Sequence, residues 1–235
     1  MTEPVLLLPG LASDARVFFH QLVNLSLSRP VTVLPLVGAL VEDMSLAVLK
    51  DAPARFALAG LGPGGTVALD VVRRAPGRVT RMILISTDPS SETPQAVAAR
   101  EARMIQARAG RLREAIQGEV PPSALFDGSS RADVLEVLAD MARVLGADAF
   151  IAQSRAIQRR PDHQKTLRRF LVPALIIGGA ADPIVPPRRQ DFTAELMPKG
   201  RFLRIADAGH LPTLESPDAV SEAMDAFLDE PLMLC

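Results

Sequence analysis

Short unbroken apolar runs alternate with amphipathic stretches along much of the chain. Val5 to Leu8, Val31 to Leu34, Phe56 to Ala59, Met82 to Ile85 and Ala174 to Ile177 are each brief and mostly aliphatic. Such runs predict strands covered on both faces, as in a parallel sheet. A sixth strand is predicted near Phe202 to Ile205. Helical segments between and after them, at Thr66 to Arg74, Arg188 to Leu196 and Asp218 to Leu228, complete the strand/helix alternation of an α/β fold.

From about Thr93 to Arg169 this alternation stops. Val97, Met104, Ile105, Leu112 and Ile116 recur at helical spacing, and no strand signal intervenes. Further helices are predicted at Arg131 to Leu145 and Asp148 to Arg159, after breaks at Pro121-Pro122 and Asp127 to Ser130. The chain therefore divides into a core, residues 1–90 with 170–235, and an all-helical insertion, residues 91–169, expected to cap the sheet's carboxyl edge. Arginines 100, 103, 108, 111 and 113 are expected on a solvated helix face, with phosphate binding as the alternative. Arg155, Arg159, Arg160, Asp162 and His163 are likewise expected in solvent, while Gln153 is the candidate to point into a pocket.

The length of 235 residues suits one α/β domain with an insertion. Lys plus Arg (26) nearly balances Asp plus Glu (27), so no global field favours nucleic acid or an anionic membrane. Tyr and Trp are absent, which removes the usual stacking platforms and leaves recognition to aliphatic contacts. The only cysteine, Cys235, forms no intrachain disulfide and no cysteine metal cluster. His20, His163 and His210 are scattered, so no metal set is expected, and no cofactor either. With no basic leader and an apolar run at Val5 to Leu8 too short to span a membrane, a cytoplasmic protein is expected. The pattern sets no oligomeric state.

Arg55 to Ala75 reads as strand, glycine-rich turn and helix, the context of a G-x-S-x-G nucleophile elbow. Its five central positions are Gly60-Leu61-Gly62-Pro63-Gly64, so glycine stands where the serine would. Gly60, Gly62 and Gly65 also spell G-x-G-x-x-G, with Asp88 about twenty residues on, as a dinucleotide fingerprint asks. That lesser alternative, an NAD(P)-binding protein, has a proline among its glycines and leaves the remaining motifs unexplained.

Those motifs are Leu8-Pro9-Gly10-Leu11-Ala12, the segment Gly178 to Pro187 around Asp182, and Ala206 to Pro217 around His210. Taken in chain order with the elbow, they resemble the α/β-hydrolase superfamily over essentially the whole chain, particularly small bacterial members with a helical cap. The resemblance implies that Asp182 is the triad acid, His210 the triad base and Gly62 the nucleophile position. It further implies that the Leu11 N–H belongs to the oxyanion hole, with Gly64 at the helix start beside it. Ser86 and Asp88 are pocket candidates, and turn formation and helix capping are their alternative role.

A carboxylate on one imidazole nitrogen fixes the tautomer and stabilises the charged ring, leaving the other nitrogen free to move a proton. The alternative is a hydrogen bond that merely joins two loops. Gly62 has nothing to acylate, and losing the serine of a working triad costs on the order of a millionfold in kcat. Pro63 has no N–H to give an oxyanion, a loss worth about 3–4 kcal/mol. Ordinary serine-esterase catalysis is therefore not expected. Non-covalent His210/Asp182 chemistry on a small, largely apolar carbonyl or ester compound is expected, and a non-catalytic ligand-binding or signalling protein is the alternative.

Overall fold

The computed structural model describes residues 2–231, and Cys235 lies outside them. Six strands, β1 (Val5–Leu8), β2 (Val31–Val33), β3 (Phe56–Leu61), β4 (Val79–Ile85), β5 (Ala174–Gly179) and β6 (Gly200–Ile205), form one sheet in the order β2-β1-β3-β4-β5-β6. Every pairing is parallel. The four inner strands are buried throughout, as their unbroken apolar runs require. Val31 to Val33 departs from the expectation of burial on both faces: β2 is an edge strand and its side chains stay partly exposed.

Side chains alternate between two cores on opposite faces of this sheet. Leu7, Ala59, Ile83 and Ile177 pack into one, while Leu8, Leu58, Leu84 and Ile176 pack into the other. The first core is closed by α1 (Phe19–Ser26) and α10 (Pro217–Asp229), the second by α2 (Val41–Asp51), α3 (Pro63–Arg74) and α8 (Pro187–Glu195). This period-two division is what a sheet with helices on both sides demands.

Between β4 and β5 lie only helices: α4 (Pro94–Arg108), α5 (Leu112–Glu119), α6 (Arg131–Gln158) and α7 (Gln164–Arg169), with a single 3-10 turn at Pro122–Ala124. α6 breaks at Gly146, whose φ of +85° interrupts the helix where the sequence predicts a gap between two helices. A last short helix, α9 (Pro212–Glu215), precedes α10. Among the described residues no helix is long and apolar enough to cross a membrane.

Sheet order also locates a site. The chain leaves β1 toward β2 on one side and leaves β3 toward β4 on the other, so a crevice opens between the carboxyl ends of β1 and β3. Ligands of open parallel sheets bind at such reversals. Leu11 follows β1 there, and Gly62 follows β3.

Candidate active site

Three adjacent strands end in backbone that L-residues seldom adopt. Ala12 after β1 has φ +48°, Gly62 after β3 has φ +50° and Ser86 after β4 has φ +44°. For Ala12 and Ser86 this is strained geometry, which gathers at functional sites. Gly62 itself caps α3 with Pro63 at the first helical turn, and its N–H donates to the Ile85 carbonyl at 2.8 Å. A Cβ built on Gly62 would meet nothing nearer than the Ser86 carbonyl oxygen at 3.8 Å. The neighbouring glycines are different. A Cβ on Gly60 would strike the backbone of Gly64 and Gly65, and one on Gly65 would strike Thr87. Close packing of β3, α3 and β4 thus accounts for Gly60 and Gly65.

Asp182 and His210 are brought together by loops after β5 and β6. His210 Nδ1 lies 3.0 and 3.1 Å from the two Asp182 carboxylate oxygens. One of those oxygens also accepts the Ile184 and Val185 N–H groups at 2.9 and 3.0 Å, and the other faces the Gln190 amide. The acid is fully buried and held in one orientation, so the imidazole it faces is fixed as well.

The histidine loop has its own clamp. Glu215 accepts the N–H groups of Gly209 at 2.9 Å, Leu211 at 2.7 Å and Phe126 at 2.6 Å, while the His210 N–H donates to the Ala124 carbonyl at 2.8 Å. Glu215 thus positions the loop that carries His210 and ties it to the helical segment between β4 and β5. Sequence reading placed Glu215 in a motif without giving it a role; its partner Phe126 lies 89 residues away.

Leu11, Gly62, Ser86, Asp88 and His210 all border one cavity of about 530 Å³, which Arg100, Ile116 and Leu138 of the helical segment also line. Ser86 is 1 % exposed and its hydroxyl has no hydrogen-bond partner among the described residues. Asp88 accepts the Ser90 N–H and pairs with Arg189 at 3.5 Å, so it serves as a turn former as well as a wall.

Several expectations are corrected here. Gln153 does not reach this cavity: its amide oxygen accepts the Ala12 N–H at 2.7 Å, its NH2 donates to the Leu36 carbonyl, and it borders a separate apolar hollow. Gly64 is also outside the cavity wall, because the first turn of α3 presses it against the Leu8 and Pro9 carbonyls. Arg100 and Arg160 are not in solvent, since Glu92 and Glu119 draw their guanidiniums inward, and His163 is buried. Arg103 is half-buried beside Glu119, whereas Arg108, Arg111 and Arg113 are exposed as expected. A signal existed for Arg100, which stands four and seven residues before the buried Met104 and Ala107 and so on the inward face of α4. Charged side chains therefore border the cavity beside the aliphatic ones. No group of three or more metal-ligating side chains is found among the described residues.

Fold, crevice and Asp–His pair together define an α/β hydrolase. Residues 55–217 match the model of the alpha/beta hydrolase fold family, and the chain belongs to that family. It is similar to a pimeloyl-[acyl-carrier protein] methyl ester esterase of Aromatoleum aromaticum, with 28 % identity over 201 residues that cover 78 % of each chain. Among solved structures it superposes on a thermophilic esterase from Thermogutta terrifontis with TM-score 0.86 and 26 % identity, over 97 % of this chain and 90 % of that one. The enol-lactonase of Burkholderia xenovorans LB400 shares the fold, with TM-score 0.85 and 22 % identity, over 98 % of this chain and 92 % of that one.

Proposed function

We propose that this α/β hydrolase acts on a small carbonyl or ester compound by acid–base chemistry without a covalent enzyme intermediate. Residues 1–90 and 170–235 supply the core, and residues 91–169 serve as the cap over the site. One observation carries the reading: His210, held by Asp182 at 3.0 Å, borders a cavity that also takes in Gly62, whose Cβ position is open. A water seated in that space gives its proton to His210 Nε2 as its oxygen attacks the carbonyl carbon. The resulting oxyanion faces the Leu11 N–H. Collapse expels the alcohol, which takes the proton back from His210. In the lyase variant the same nitrogen takes the proton beside the carbonyl, the C–H electron pair forms a C=C bond, and a group on the next carbon departs with its bonding pair and takes the proton from His210. The Ser86 hydroxyl, buried and unpartnered, orients the water or the substrate. No cofactor enters this chemistry. The esterase name of the Aromatoleum relative supports an ester-type substrate.

The test is turnover of esters, lactones and 1,3-diketones by wild type and His210→Ala. Loss of the imidazole is expected to lower kcat by about a hundredfold or more. Wild type is expected to show no acyl-enzyme burst. Equal rates with and without the imidazole sink the proposal. A compound that raises Tm yet is recovered unchanged assigns the binding role instead.

A further inference from the structure

Part of the cavity's lining is charged. Arg100 bridges Glu92, at 2.5 Å, and Glu119. Arg103 also pairs with Glu119, and Arg160 pairs with Glu92 at 3.0 Å while donating to the Ser90 carbonyl at 2.7 Å. These side chains are between 3 and 19 % exposed. Three guanidiniums thus share two carboxylates, an excess of one positive charge, and the Asp88–Arg189 pair at the same cavity leaves that excess unchanged.

An uncompensated charge out of water is costly unless a counter-charge arrives. The imbalance falls on Arg160: burial pushes its guanidinium below its ordinary value, and Glu92 and Asp88 only partly offset this. Around Arg100 burial is outweighed by Glu119 and Glu92, and its charge is held more firmly than usual. The Ser90 hydroxyl is buried without a partner among the described residues, on a residue that lines the same cavity. Ile116, Val120 and Leu138 line the cavity with apolar surface that an alkyl chain would cover.

We infer that Arg160 and Arg103, with the Ser90 hydroxyl, form a carboxylate subsite, so that the substrate is an acid carrying its reactive carbonyl on an aliphatic chain. This deepens the reading of the cavity as a substrate site and rests on it. Guanidinium groups suit a carboxylate because their paired N–H donors match its two oxygens.

Calorimetric binding of the monomethyl esters of succinic, glutaric and adipic acid, each against its dimethyl ester, tests the inference, using His210→Ala so that nothing turns over. One half ester is expected to bind about tenfold tighter than its diester, a margin that falls as salt is added. Arg160→Gln and Arg103→Gln are each expected to cost about tenfold in half-ester affinity and to leave the diester unchanged. Glu119→Gln releases donors of Arg100 and Arg103 and is expected to tighten the half ester, an outcome that a purely structural ion cluster does not give. Equal affinity for half ester and diester throughout, or a folded Arg160→Gln and Arg103→Gln that keep the margin, overturns the inference. If the arginine variants do not fold, the wild-type margin and Glu119→Gln decide. Half-ester binding without turnover by wild type would leave the subsite standing and remove the proposed reaction; turnover of both esters alike, with equal affinity, would do the reverse.

Discussion

Gly62 combines two features that act in opposite directions on a serine placed there. Space for Cβ is open, with the Ser86 carbonyl oxygen 3.8 Å away, yet φ is +50°, where side chains are strained. Gly62→Ser is therefore expected to fold, at a cost of about 1–3 kcal/mol measured by denaturant titration. Its hydroxyl would stand at the end of β3 beside His210, and labelling by a fluorophosphonate is the expected consequence. Adding Pro63→Met returns a backbone N–H and is expected to speed labelling by about a hundredfold. A stable variant that resists the reagent even with the methionine would show that His210 does not serve the space above Gly62. That residue 62 carries no hydroxyl and residue 63 no N–H was legible in the sequence, because these are properties of single residues. The strain at Ser86 and Ala12 was not, since φ at a strand end depends on what the neighbouring strands leave room for.

At the scale of elements, the site depends on how firmly α9 and the loop before it are held. Three backbone N–H groups converge on Glu215, and charged acceptors of this kind are stronger than neutral ones. Glu215→Ala leaves those donors without their acceptor and frees the His210 loop from Phe126. If the proposed acid–base chemistry operates, kcat is expected to fall by about tenfold with KM little changed, because the loss is one of positioning the imidazole. Binding of an unreactive substrate analogue should change little. An equal rise in KM, or an unchanged kcat, would mean that the loop holds its place without this clamp. The motif around His210 made such a loop visible in the sequence, but the clamp joins it to residues near Ala124 and Phe126 that no local pattern connects to it.

For the whole molecule, the inner strands were legible because burial on both faces leaves no polar position to confuse the pattern. α1 and α2 were not foreseen; both are amphipathic elements whose apolar stripes are interrupted by polar residues that tertiary contacts bury, Gln21 and Ser45 among them. The same limit hid His163. It is 1 % exposed, and neither ring nitrogen has a hydrogen-bond partner among the described residues. Burial pushes its imidazole below the ordinary 6.5, with Asp70 and Asp162 pulling upward and Arg73 and Arg160 downward. Folding therefore keeps this ring neutral where the unfolded chain would take up a proton. As pH falls below about 6.5 toward the depressed folded value, the unfolded state binds more protons and stability declines; above it the group contributes no slope. His163→Leu removes the titration and two unpaired buried nitrogens while keeping a side chain of similar bulk, so the variant is expected to be at least as stable at neutral pH and to lose less Tm on acidification. Melting curves of both proteins from about pH 7.5 to about pH 5 provide the measurement. Parallel declines would place the acid sensitivity elsewhere, whereas a flatter curve for the leucine variant would assign it to the buried ring under the return of the helical segment to the sheet.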